Sequence, residues 1–126
     1  MTGAGLVLAA GLSALPAAGA LIDCRFDRAC IDRRPCYDAQ AWAKVTVLDD
    51  ALAVLETDAD GRRPALIRRE GVWTTVITAP DPDHANRVAV LDWAADGRAT
   101  LVVSSPGTAI EMLSRTGTCD VKDPQP

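Results

Sequence analysis

Few residues of this chain could carry chemistry, and the four cysteines come first: Cys24, Cys30, Cys36 and, near the far end, Cys119. The early trio is evenly spaced, with gaps wider than the short ones zinc sites use. Two structural disulfides are therefore expected, with no metal, no cofactor and no catalytic thiol. The expected pairs are Cys24–Cys119 and Cys30–Cys36. Cys24 lies in a short extended stretch, 21–26, and Cys119 ends the last expected strand, so joining them closes an antiparallel sheet. In the chain-entropy picture the long loop contributes about 4.7 kcal/mol and the short one about 2.4 kcal/mol, as upper figures.

The single histidine, His84, sits in Pro82-Asp83-His84-Ala85-Asn86. With Asp81 and Asp83 it offers an imidazole and two carboxylates, too few donors for a catalytic metal site. A solvated polar turn is expected. Asp58-Ala59-Asp60-Gly61 starts like a calcium loop, but the glycine comes too early and Arg69 stands where a bidentate Glu belongs, so it reads as a hairpin turn. Neither a nucleophile-elbow motif nor a phosphate-binding glycine loop is present. Carboxylates such as Asp49, Asp50, Asp92 and Glu111 are plentiful, but no pair is singled out as acid and base. The chain is expected to be non-catalytic.

Arginine doublets remain: Arg33-Arg34, Arg62-Arg63 and Arg68-Arg69. A solvated surface is the expected setting. Clustered doublets could instead grip a carboxylate or an acidic partner in bidentate fashion. Of the tryptophans, Trp42, Trp73 and Trp93, at least two are expected in the core. An exposed one beside an arginine doublet would be a binding hot spot. Arg33, Arg34, Arg68, Arg69 and Trp73 thus form the candidate binding surface.

These residues are positioned by an exported all-β domain. Residues 1–20 carry no charge, with an apolar run over 6–15, Pro16, and the small-x-small site Ala18-Gly19-Ala20. This is expected to be a cleaved signal peptide, the alternative being an uncleaved membrane anchor, and cleavage leaves one domain over 21–120 and a polar, Pro-rich tail over 121–126. Cleavage leaves no membrane insertion. The disulfides suit the periplasm or the exterior. The net charge of −4 gives no reason to expect nucleic acid.

Strands are expected at 41–48, 52–57, 63–69, 72–79, 87–94, 98–104 and 108–119, after the short stretch at 21–26. Asp-Gly turns connect two of the pairs. Residues 30–40 read as a cross-linked loop with a helical turn from Asp38. Strand 72–79 reads as apolar on both faces, hence covered on both sides. Val54-Leu55-Glu56 leading to Ala59-Asp60-Gly61-Arg62 is echoed by Val90-Leu91-Asp92 leading to Ala95-Asp96-Gly97-Arg98. Two hairpins using one efficient turn explain the echo. The fold class is an antiparallel meander closing as a small barrel or sandwich, with a disulfide-linked N-terminal loop.

The signal peptide, the cysteine trio, the Asp-Gly hairpins and the closing Gly117-Thr118-Cys119 resemble small exported bacterial disulfide-containing β proteins of unknown function. In size, export and disulfide use the chain is also similar to the periplasmic lysozyme inhibitors of the small β-barrel type. Their Ser-Gly and Tyr inhibitory loop is not found, and Tyr37 is the one tyrosine. The expectation is a binding domain for a protein or a cell-envelope component; the alternative is an inhibitor of an envelope hydrolase.

Overall fold

The computed structural model describes residues 16–108 and 112–123. Eight strands follow in chain order: β1 (Leu21–Ile31), β2 (Tyr37–Val47), β3 (Leu52–Thr57), β4 (Gly61–Glu70), β5 (Trp73–Thr78), β6 (Val88–Ala94), β7 (Arg98–Ser104) and β8 (Met112–Lys122). Each pairs antiparallel with the next, and β8 pairs with β1, so the sheet closes into an up-and-down barrel with no free edge. Period-two alternation drives this. In β2, Ala43, Val45 and Val47 point inward and are buried. In β4 the buried positions are Arg63, Ala65 and Ile67. Eight strands leave an interior that side chains can fill. Large residues (Phe26, Leu55, Leu91, Leu101, Trp93) interleave with alanines at 43, 53, 65, 89 and 99.

The Cys24–Cys119 disulfide joins directly opposed residues of β1 and β8, at a sequence separation of 95. Gly117 stands beside it, opposite Phe26. A Cβ on Gly117 would lie 1.9 Å from the Arg25 carbonyl oxygen. Any side chain there would force the closing strands apart. The second disulfide, Cys30–Cys36, staples the β1–β2 connection.

Several expectations change. Residues 37–40 form strand, not loop or helical turn, because a β-bulge between Phe26 and Arg28 lets β1 run on to Ile31 and hold Tyr37 and Asp38 in register. β8 extends through Val121 and Lys122, which pair with Ile22 and Leu21 and so belong to the wall rather than to a tail. β5 is not covered on both sides: Trp73 and Ile77 face solvent. Only Trp93 of the three tryptophans is buried. Trp42 is half-buried, with the Lys44 ammonium 5.4 Å from its ring.

Connections alternate between the two ends of the barrel. At the end termed closed, short turns and residues 16–20 lie over the strands, where the Gly19 N–H donates to the Val47 carbonyl (2.8 Å) and the Val47 N–H to the Ala20 carbonyl (3.0 Å), and a polar hollow of about 590 Å³ remains beside Arg69, Trp93 and Asp120. Ala20 is fully buried, so cleavage directly after it would remove a core methyl and the acceptor of the Val47 N–H. The remainder of the expected signal peptide, and Glu111, lie outside the described residues. The other end carries the longer connections and is the barrel's mouth.

Candidate functional site at the barrel mouth

The β3–β4 turn, Asp58-Ala59-Asp60-Gly61, sends its two carboxylates to different strands. Asp58 Oδ1 accepts from Arg115 Nη1 at 3.0 Å. Arg115 lies on the inward face of β8, opposite buried Leu101 of β7. Asp60 accepts from Arg87 Nε at 3.1 Å and 3.2 Å, and its Oδ1 also accepts from Arg87 Nη2. This bidentate clamp raises the Arg87 pKa further above its ordinary value, the hydrogen bonds to Asp60 outweighing desolvation. Beneath it lies Arg63, on the inward face of β4 and buried. Arg63 Nη2 donates to the Ala79 carbonyl at 2.6 Å, and Nη1 is 3.8 Å from Asp60 Oδ2. Nη1 itself is buried and has no hydrogen-bond acceptor. The mouth therefore holds three guanidinium groups against Asp58 and Asp60, with the Asp81 carboxylate also within electrostatic reach of Arg63.

The β5–β6 connection sets Arg87 in place. Asp81 caps a short 3₁₀ turn, Pro82–His84, by accepting from the Asp83 N–H at 2.9 Å. That bond, with the His84 Nδ1 contact at 3.0 Å, holds the Asp81 carboxyl below the usual carboxylate range. Ala85 and Asn86 follow with φ of 55° and 56°. The left-handed region costs an alanine about 1 kcal/mol. The connection accepts that strain and delivers the next residue, Arg87, to Asp60.

Between these groups and the inner wall lies a cavity of about 530 Å³. Ala89, Leu101, Val103 and Leu113 form its apolar floor. Asp60, Arg87 and Arg115 stand on its wall, with the hydroxyls of Thr57, Ser105 and Thr108 nearby. Its size suits a small organic ligand. His84 does not border it. Among the described residues no three His, Cys, Asp or Glu side chains gather as a metal site. The arrangement can hold an anion by charge and an apolar group by burial.

The residues singled out from sequence fall elsewhere. Arg33 and Arg34 are exposed in the stapled β1–β2 connection, at the mouth end. Arg68, Arg69 and Trp73 flank the β4–β5 turn at the closed end, so the five do not form one surface. Arg68 points outward and pairs with Glu70 at 2.7 Å. Arg69 Nε donates to the Gly71 carbonyl at 3.0 Å. Trp73 is stacked under the Arg98 guanidinium, 6.0 Å from ring centre. Of the doublets, Arg62-Arg63 departs from the solvated setting expected, because the strand phase turns Arg63 inward.

The sequence marks Arg63 only as half of a doublet, and no motif marks Arg87 or Arg115. The phase of β4 was a usable signal, since Arg63 alternates with Ala65 and Ile67. Arg87 and Arg115 carry no such local mark. Comparisons with protein-family models, with curated proteins and with solved structures find no match to this chain.

Proposed function

We propose that the chain is an exported, non-catalytic binding domain that holds a component of the cell envelope in its barrel mouth. The ligand class is a small amphipathic anion. One observation carries this reading: an apolar-floored cavity of about 530 Å³ with the guanidinium groups of Arg87 and Arg115 on its wall beside the Asp60 carboxylate. An apolar tail would cover Leu101 and Val103 while a carboxylate or phosphate met the guanidinium groups. The disulfides suit an oxidising compartment.

Calorimetric titration with decanoate and with decanol tests it. Decanoate should bind, and decanol should bind about tenfold more weakly or worse, since a charge-assisted contact is lost. Val103→Trp, which fills the cavity, should abolish binding, and Arg115→Gln should weaken decanoate selectively. Equal binding of both probes, or decanoate binding untouched by Val103→Trp in a folded protein, would overturn the reading.

The stapled, exposed β1–β2 connection favours a second reading, an inhibitor that inserts this loop into an envelope hydrolase. Stoichiometric loss of lysozyme activity on titration, relieved by Arg33→Ala with Arg34→Ala, would support it.

A further inference from the structure

The outer wall of the barrel has two unlike halves. On β1, β2 and β8 the outward apolar residues Leu21, Trp42 and Met112 stand apart from one another among Asp23, Arg25, Lys44, Thr116, Thr118 and Asp120. Strands β3 to β7 instead share a continuous apolar row. Register places Leu52 beside Leu66, Leu66 beside Ile77, Ile77 beside Val90, and Val90 beside Val102. Leu52, Leu66 and Ile77 are 46%, 57% and 40% exposed. A parallel outward row nearer the mouth adds Val54, Pro64 and Val88. Contiguous apolar area of this kind on a folded domain marks a contact surface. It does not encircle the barrel, and the interior is apolar, the reverse of a membrane-spanning barrel.

The next outward row toward the closed end identifies the occupant. It reads Arg68 on β4, Thr75 on β5 and Asp92 on β6, directly in register. A cation and an anion thus stand one strand to either side of β5. We infer that this face docks a second copy of the chain about a two-fold axis parallel to β5. Such an axis lays β4 of one copy over β6 of the other. Ile77 meets Ile77, Leu66 meets Val90, and Arg68 meets Asp92 twice. In the row beyond, Trp73, with the Arg98 guanidinium over its ring, faces the same pair on the other copy. An isologous contact requires this symmetry, each residue facing its counterpart's partner. Two like charges flanking β5 would repel under the same operation. Sheets packed in this way lie about 10 Å apart, which side chains of this size fill.

Arg68 also pairs with Glu70 within its own strand, and Thr75 Oγ1 donates to Asp92 Oδ1. The Arg68–Glu70 pair is exposed and the Thr75–Asp92 contact half-buried, and a facing copy can add a partner to each charged group. The mouth cavity is lined by none of Leu66, Ile77 or Val90, so dimer and ligand site are separable.

Sedimentation equilibrium of the oxidised protein over a range of concentrations tests the inference, with the melting point of every variant as a folding control. A monomer–dimer equilibrium is expected. Arg68→Asp and Asp92→Arg should each weaken it about tenfold or more by setting like charges face to face, and the double reversal should restore it. Ile77→Cys should give a disulfide-linked dimer through residue 77, even if Asp92→Arg fails to fold. A protein that stays monomeric throughout would overturn the inference. So would association that the double reversal fails to restore. Binding of the monomer to anionic lipid vesicles, lost in Leu66→Asp, would assign the face to a membrane surface instead.

Discussion

The tetrapeptide Ala-Asp-Gly-Arg occurs twice in this chain, and the barrel puts the two copies to opposite uses. Ala59-Asp60-Gly61-Arg62 turns at the mouth; Ala95-Asp96-Gly97-Arg98 turns at the closed end. At the mouth the aspartate matters. The Asp60 side chain is 6% exposed and holds Arg87 and Arg63, while a Cβ on Gly61 would touch nothing. At the closed end the glycine matters. Asp96 is 58% exposed and bonds Arg98 two residues on, whereas a Cβ on Gly97 would press on the Cys119 carbonyl oxygen at 3.2 Å. A short motif fixes the chain reversal. Its surroundings decide which of its residues carries weight.

Mutation should separate the two turns. The largest effect is expected where the closed-end turn leans on the closing strand: replacing Cys24 and Cys119 together by Ser should lower unfolding free energy by about 4–5 kcal/mol. Urea denaturation followed by tryptophan fluorescence measures it. Asp60→Ala should come next, at about 3–5 kcal/mol, because it leaves buried Arg63 without its nearest counter-charge, with Asp81 acting only at longer range. Adding Arg63→Met to that variant should recover much of the loss, which a purely local role for Asp60 would not allow.

The glycines should rank the other way. Gly97→Ala should cost about 2 kcal/mol and Gly61→Ala about 1 kcal/mol, since both have positive φ but only Gly97 meets a neighbour. Equal costs would break the contrast. Asp96→Ala should shift the denaturation midpoint least.

The smallest effect is visible only in acid. Hydrogen bonds from the Arg98 backbone hold the Asp96 carboxyl below its usual pKa. A group depressed on folding stabilises above its unfolded pKa and loses that contribution as pH falls through the folded one. Asp96→Asn should therefore leave the urea midpoint at neutral pH nearly unchanged and slightly flatten its decline below about pH 4. A slope identical to that of the parent protein would remove the assignment.

How much of this was legible in the sequence depended on range. The hairpins at Asp58 and Asp96 and the strands between them follow from alternation and turn chemistry, both local. Both disulfides were reachable because Cys24 and Cys119 occupy the first and last strands. Tyr37 to Gln40 were not readable as strand, since their pairing with β1 rests on a bulge that no local preference marks. The apolar character of Trp73, Val76 and Ile77 suggested cover on both faces, because an exposed docking face and a buried one use the same residues. Arg87 and Arg115 were hidden for a simpler reason. Their partners, Asp60 and Asp58, lie 27 and 57 residues away along the chain, and only the closed barrel brings them together.

Closure of the barrel also sets a timetable. The pairing of β1 with β8, their disulfide and the close approach at Gly117 all join the first strand to the last. A chain that emerges amino terminus first exposes seven strands before the eighth arrives, so β1 waits throughout as an open edge. Contacts of such long range form late and slowly. The one cross-link available early is Cys30–Cys36, only 6 residues apart, which can lock the β1–β2 hairpin while Cys24 is still a free thiol. Until Cys119 arrives, that thiol is exposed to wrong partners, and a disulfide isomerase would find its substrate in this interval.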